Sequence, residues 1–283
     1  METNYSVLMS VYQGEKPAFL NQSLDSIFNQ TIIPSQFVLV KNGPLTSELE
    51  NVLLNYSSKY PGILFFVELK NNEPLGVALD FGLSFCKCEY VARMDSDDIA
   101  EKERCAKQLK CFEDNQFLDI CGTFMGEFYD DDRLNVKTIR IVPENDVQIK
   151  KFLRRRSPFN HSSVMFKKAS VIRCGGYGQS RRKEDFDLFS RMLNMGCMGY
   201  NIPETLMLGR ANVNSFKRKK SWIYCSDYIE VMKRNWKSGY CSFWDFLVVS
   251  VYQLLIFLTP TFVSRWFTNK FLRKKVLERR KIV

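Results

Sequence analysis

The sequence predicts an α/β fold built on a mainly parallel sheet. Three observations lead there. Within the first hundred residues, four short apolar runs each read as a buried strand. Stretches of helical spacing separate these runs, as crossover helices separate parallel strands. The chain has 283 residues, 45% of them hydrophobic and 25% charged, which suits a sizeable core and excludes wholesale disorder.

Val7 to Tyr12 is the first strand, ending in turn residues near Gly14. Phe19 to Phe28 has helical spacing, with Leu20, Leu24 and Ile27 on one face. Phe37 to Val40 is the second strand, stopped by Asn42-Gly43-Pro44. Leu49 to Tyr60 reads as a helix and Ile63 to Val67 as the third strand. A helix over Leu75 to Phe85 follows Pro74. Tyr90 to Met94 is the fourth strand and runs directly into Asp95-Ser96-Asp97-Asp98, after which Glu101 to Asp114 is helical.

The second half is less regular. Ile120 to Tyr129, Lys137 to Val142 and Ser163 to Phe166 read as strands, Cys174 to Gly178 as a flexible loop, and Asp185 to Met195 as a helix. The expected organisation is a catalytic-type α/β domain over 1–215 and a basic, aromatic, helical region over 216–283.

Charge divides the chain unevenly. Residues 1–150 hold 14 Lys+Arg against 23 Asp+Glu, and residues 151–283 hold 27 against 8. The basic half suits an anionic partner such as phosphate, nucleic acid or a lipid surface. Its clusters are Lys217 to Lys220, Arg273 to Lys275 and Arg279 to Lys281, with Trp222, Trp236, Trp244 and Trp266 between them. Cations alternate with apolar residues over 262–277, and basic helices bearing Trp settle in a lipid interface. The apolar run Phe243 to Leu258 contains Asp245 and Gln253 and falls short of the ~20 residues a spanning helix needs, so interfacial attachment is favoured over a span. The start, Met1-Glu2-Thr3-Asn4, lacks the basic segment of a signal peptide, and nine scattered cysteines suit reduced thiols in a cytosolic compartment.

In parallel α/β sheets ligands bind beyond the carboxyl ends of the strands. Three loops qualify: those after Val11, Val40 and Met94. The third is the sharpest, because three carboxylates in four residues repel one another unless a cation joins them. Hard divalent cations take such oxygen ligands and share them with a substrate diphosphate. An acidic turn capping the next helix is the simpler alternative. Gly76, in a stretch of small residues from Leu75 to Leu83, lets a helix approach either the sheet or a ligand. Asp185 opens an amphipathic helix, where the helix dipole favours acids and where a general base would also stand. Arg181, Arg182 and Lys183 precede it as a phosphate-facing segment, and His161, the single histidine, follows Arg154-Arg155-Arg156 in an irregular stretch suited to a site wall.

Taken in order, Ser10-Val11-Tyr12 with Glu15, Lys41 to Leu45, Leu75-Gly76 to Gly82, Tyr90 to Asp98, Pro158 to His161, Gly175-Gly176-Tyr177 and Glu184-Asp185 resemble the family 2 glycosyltransferases of GT-A fold. The likeness runs from about Tyr5 to Leu208 and is greatest for bacterial members that build O-antigen or capsule repeat units. It implies that Asp95 and Asp97 form the DXD motif holding Mn²⁺ or Mg²⁺ on a UDP diphosphate, with Asp98 making the DXDD form. It implies nucleotide contacts at Tyr12, Glu15, Asn42 and Gly76, with Arg93 beside the sugar-nucleotide. Asp185 becomes the general base of an inverting displacement, and Asp98, His161, Glu184 and Arg181 face the acceptor or diphosphate. The sequence departs from the family at Asn42 and Asp80, where Asp and Asn are usual. The implied partners are a UDP-sugar donor, a sugar on undecaprenyl diphosphate as acceptor, and the cytoplasmic face of the bacterial inner membrane as a peripheral site, with no nucleic acid. The implied product is a β-1,3-linked Glc or Gal on GlcNAc or GalNAc. Two other classes share some of these features. A sugar nucleotidyltransferase would carry a Gly-rich basic loop after its first strand, where this chain has Tyr12-Gln13-Gly14-Glu15-Lys16. A non-enzymatic binder of an anionic polymer would have no need of Asp95 and Asp97.

Overall fold

The computed structural model describes residues 4–128, 136–178, 180–211 and 221–259, together with the backbone of 274 and 275. Strands β1 (Tyr5–Val11), β2 (Gln36–Asn42), β3 (Leu64–Leu69) and β4 (Tyr90–Asp95) lie parallel in the spatial order β3-β2-β1-β4. Helices α1 (Pro17–Phe28), α2 (Ser47–Lys59) and α3 (Leu75–Phe85) make the crossovers between them. These are the elements the alternation predicts. Strand residues alternate between two cores. Leu8, Val38 and Val40 join α3 on one face, while Val7, Met9, Phe37 and Leu39 join α1 and α2 on the other. On α3, a Cβ at Gly82 would sit 2.5 Å from Val40 and 2.6 Å from Leu8, so glycine lets the helix lie flush on the sheet.

Beyond β4 the sheet turns mixed. The short strand β5 (Ile99–Ala100) precedes α4 (Arg104–Asp114), which begins three residues later than the helix predicted from Glu101. β6 (Leu118–Phe128) pairs antiparallel with β7 (Thr138–Arg140) and with β8 (Met165–Lys167), and β8 pairs antiparallel with β4. Of the strand predicted over Ser163 to Phe166, Met165 and Phe166 lie in β8, while Ser163 ends a 3-10 turn, His161–Ser163. Helices α5 (Asp146–Leu153) and α6 (Lys168–Arg173), together with β9 (Met198–Arg210), are not expected from the sequence. β9 runs parallel to β6 and pairs with β5. It escapes the period-two pattern because the register passes from Ile202 to Thr205 over one step of β6, leaving Pro203 and Glu204 as an exposed bulge.

Helix α7 (Glu184–Asn194) carries the predicted amphipathic face inward through Phe186, Phe189 and Met192. Helices α8 (Trp222–Lys237) and α9 (Phe243–Leu258) form an antiparallel hairpin. Trp222 meets Phe257 at 5.6 Å, and Trp236 stacks on Phe246 at 5.5 Å. Tyr228, Val231 and Met232 of α8 and Val249 of α9 belong to the same core as α3 and α7. No helix among the described residues is long and apolar enough to cross a membrane. The alternation predicted over 262–277 lies outside the described residues except at Lys274–Lys275. There the backbone forms a short strand, β10, against β7, where the sequence suggests helix.

Candidate active site

The floor of the site is the carboxyl end of β4. The chain turns sharply after Asp95, and the carboxyl oxygens of Asp95, Asp97 and Asp98 come within 4.8 Å of one another. Their positions are set from several sides. Ser23 Oγ on α1 donates to the Asp95 carbonyl at 2.8 Å, and Ser96 Oγ donates to Glu15 Oε2 at 2.5 Å. The Arg210 backbone N–H at the end of β9 donates to Asp98 at 3.1 Å, and its guanidinium reaches the Asp97 carbonyl at 3.3 Å. Burial, with repulsion from Asp98 and Asp95, pushes Asp97 up to about 8. Burial and Asp95 push Asp98 up to about 7, against the opposing hydrogen bonds of Ser162 and the Arg210 backbone. Even with a buried arginine beside them, carboxyls so crowded and dehydrated are short of positive charge. An all-oxygen set of this spacing fits a hard divalent cation, which would relieve both effects.

Arg93, 1% exposed, lies beside this cluster and pairs through Nη2 with Asp95 Oδ1 at 2.5 Å. Its Nε and Nη1 have no hydrogen-bond partner. Beneath it, the buried Arg104 donates through Nη2 to the Arg93 carbonyl at 2.7 Å and to the Val164 carbonyl at 3.3 Å, fastening β4 to the 3-10 turn. Sequence reasoning passes over Arg104, because an arginine in an amphipathic helix ordinarily faces water.

The opposite wall is the start of α7. A Cβ on Gly76 would stand 2.9 Å from Glu184 Cβ, so the glycine brings α3 against α7. Glu184 is pushed up to about 7, first by burial and then by Asp185, while Arg93 and Lys183 pull the other way. His161 lies with Nε2 3.3 Å from the Tyr177 hydroxyl and Nδ1 4.0 Å from Glu184. Burial and the charge of Arg93 hold its pKa well below the ordinary imidazole range, which keeps the ring neutral. Arg93 therefore acts on both halves of the site, lowering Asp98 and Glu184 alike.

The loop from Cys174 to Gly178, expected to be flexible, is pinned. Asp80 accepts from the backbone N–H of Tyr177 at 2.7 Å and of Gly178 at 3.1 Å, and Arg191 donates to the Cys174 and Gly176 carbonyls. Glycines at φ +82, +66 and +73 let the backbone turn inward to meet these partners. An acid at position 80 suits two N–H donors, which accounts for the departure from the usual Asn. From the far side, Asp227 on α8 accepts from Arg182 N at 2.8 Å and Ser180 Oγ at 3.2 Å, and Lys183 lies 4.1 Å over the Tyr224 ring. Burial lowers the Lys183 pKa, but Tyr224 and Asp185 more than restore it. A cleft of about 540 Å³ behind this loop is lined by Asp187, Arg191 and Arg234, and Asp187 already pairs with both arginines.

The remaining candidates fall into place differently. Glu15 gives its carboxyl oxygens to Ser96 and to the Lys16 backbone, so it supports the acidic turn. Asn42 is buried and exchanges two hydrogen bonds of 2.8 Å with the Glu73 backbone, joining the loops after β2 and β3. Tyr12 and Arg181 are exposed, and no contact among the described residues ties either to the acidic cluster. Asp185 is half-buried in the first turn of α7.

Comparison with known proteins agrees with this geometry. The model of the family described as "Glycosyl transferase family 2" matches residues 6–179. The chain is 33% identical over 270 residues to the UDP-Gal:alpha-D-GlcNAc-diphosphoundecaprenol beta-1,3-galactosyltransferase of Escherichia coli, covering 95% of this chain and 97% of that one. It is 34% identical over 229 residues to the amylovoran biosynthesis glycosyltransferase AmsE of Erwinia amylovora, covering 81% and 84%. Among solved structures, the mannosyltransferase PcManGT from Pyrobaculum calidifontis in complex with GDP-Man and Mn²⁺ superposes with a TM-score of 0.63 at 14% identity, over 93% of this chain and 72% of that one. That likeness is one of fold, the GT-A arrangement. With the family model spanning more than half the chain and relatives above 30% identity along most of it, the chain belongs to glycosyl transferase family 2.

Proposed function

We propose that this glycosyltransferase moves a hexose, galactose first among the candidates, from a UDP-sugar to GlcNAc on undecaprenyl diphosphate. The new bond is β-1,3, and the step belongs to assembly of an O-antigen or related polysaccharide at the cytoplasmic membrane face. The observation that carries this reading is the acidic triad at the end of β4, with two buried, unpartnered Arg93 donors beside it. The relative that acts on UDP-Gal and GlcNAc-diphosphoundecaprenol supports the substrate pair, since the likeness covers nearly all of both chains.

Asp95 and Asp97, with Asp98 behind them, would hold Mn²⁺ or Mg²⁺. When bound, that ion neutralises charge developing on the departing diphosphate. Arg93, charged and dry, offers Nε and Nη1 to donor oxygens. Asp185, at the positive end of α7, accepts the acceptor hydroxyl proton as the hydroxyl oxygen attacks the anomeric carbon. The bond from that carbon to the UDP oxygen breaks with its electron pair on UDP, and the configuration inverts. Neutral His161, backed by the buried Tyr177, would form part of the wall beside Glu184.

The test is UDP release from a panel of UDP-hexoses with a synthetic GlcNAc-diphospho-lipid, in Mn²⁺ or in EDTA. Release with one donor, lost in EDTA and in Asp97→Ala, and reduced about 10²–10⁴-fold in Asp185→Asn with UDP affinity retained, is expected. Release that survives EDTA and Asp97→Ala would remove the metal assignment. Absence of release with every donor, from folded protein, would sink the reading.

A further inference from the structure

Helix α9 is inside out. Of its four buried residues, three are polar: Asp245, Ser250 and Gln253, with only Val249 apolar. Every exposed residue is apolar, from Trp244 at 68% exposure through Val248, Val251 and Leu255 to Leu258 at 74%. The first residue of this inward polar row is tied into the fold. Asp245 closes a capping box with Ser242 and pairs with Arg155 at 2.6 Å. A helix facing water on one side ordinarily shows the reverse pattern, and a continuous apolar face of this kind marks a surface made for something other than water.

We infer that the outward face of α9 is a docking surface for an anionic lipid interface, with the helix lying in the plane of the headgroups. Four observations choose this occupant. Sixteen residues of helix reach about 24 Å, short of the ~30 Å hydrocarbon core, and Asp245 sits in the first turn, so the helix lies flat and does not cross. Exposed tryptophans mark both ends of the hairpin, Trp222 at one and Trp236 and Trp244 at the other, as rings at an interface are. Basic clusters stand on both sides of the hairpin in the sequence, Lys217 to Lys220 before α8 and Arg273 to Lys275 after α9, which complements a negative surface. Arg155, 60% exposed, belongs to the run Arg154-Arg155-Arg156 and is tied directly to the start of α9. Docking α9 would therefore hold this arginine row close to the lipid surface, on the segment that leads to His161. This deepens the proposed function, since a diphosphate-linked acceptor would present its own phosphates at that surface.

The test uses the full chain and vesicles of phosphatidylglycerol with phosphatidylcholine, or of phosphatidylcholine alone, read by sedimentation. The wild type binds the anionic vesicles, and Val248→Glu with Leu255→Glu lowers that binding by about tenfold or more at unchanged melting temperature. A near-silent variant covers the case in which the charged pair misfolds: brominated lipid quenches the tryptophan emission of the wild type and quenches Trp244→Phe less. Wild-type protein that ignores anionic vesicles, or a variant that binds as the wild type does, overturns the inference. So does a wild-type dimer that the substitutions convert to monomer with vesicle binding intact, because the face would then belong to a second copy. Transfer to a short-chain, water-soluble GlcNAc-diphosphate is read in parallel. Its absence in the wild type would count against the substrate assignment alone, and its retention in the α9 variant separates docking from catalysis.

Discussion

Arg93 keeps two N–H groups without partners at 1% exposure. An unsatisfied buried donor costs about 1–3 kcal/mol, a cost that a bound donor substrate would offset. Arg93→Lys keeps a charge but loses the planar fork, and it is expected to lower kcat/KM for the sugar-nucleotide by about 10–100-fold with little change in melting temperature. Glu184 gives a prediction with a sign. Its folded pKa of about 7 exceeds its ordinary 4.5, so the native state holds the proton that the unfolded chain releases between those values. Its contribution to stability falls as pH rises through that window, and the penalty is complete above it. Glu184→Gln should therefore melt higher than the wild type at pH 8, by up to the order of 2–3 kcal/mol, and at the same temperature at pH 4. Equal melting at both pH values would contradict the assignment. At this scale Asp95, Asp97 and Asp98 are legible in the sequence through their place, directly after an apolar strand in an alternating α/β pattern, since an acidic turn alone could equally cap the next helix. Asn42 and Glu15 are less so. Both stand in the strand-end loops that the pattern singles out, yet their side chains close hydrogen bonds within the protein. Nothing in a single sequence separates a buried amide that clamps two loops from one that reads a base.

Among the elements, α8 holds the segment that delivers Asp185. Asp227 takes hydrogen bonds from Arg182 and Ser180, and Tyr224 and Tyr228 shelter Lys183 at the threshold of α7. Asp227→Ala should loosen that segment and lower kcat by about five- to tenfold, with KM for the sugar-nucleotide retained. Asp227→Asn, which keeps an oxygen acceptor for the Arg182 N–H, should recover most of the rate. Equal losses in the two variants would leave Asp227 without this positioning role. The first four strands and three helices are legible because each strand is centred on a short run of apolar residues and each helix buries an apolar face. β9 is not, since its bulge breaks the alternation, and α6, six residues long, is too short to establish a period.

Across the whole molecule, a front half rich in acids meets a basic rear, and the structure shows the two sharing one core. The charge imbalance is legible by counting. That α8 and α9 pack on the α3–α7 face is not, because their contact residues are single aromatic and aliphatic side chains spread over two helices. If Asp95 and Asp97 hold the ion, Mn²⁺ binds the folded state alone and must raise its stability by mass action, about 2.7 kcal/mol at a hundred times Kd. The wild type should melt a few degrees higher in Mn²⁺ than in EDTA, as read by calorimetry, and Asp97→Ala should show no such difference.

The strand formed by Lys274 and Lys275 also decides which kind of experiment can be interpreted. It completes the flank of the sheet beside Thr138 and Ile139. An uncovered strand flank is a template for pairing with another chain. Removing the tail would strip that cover in one cut. Protein that then sediments without vesicles has lost its guard against self-assembly, whatever has become of its hold on lipid, and only substitutions that leave residues 274 and 275 in place keep those two losses apart.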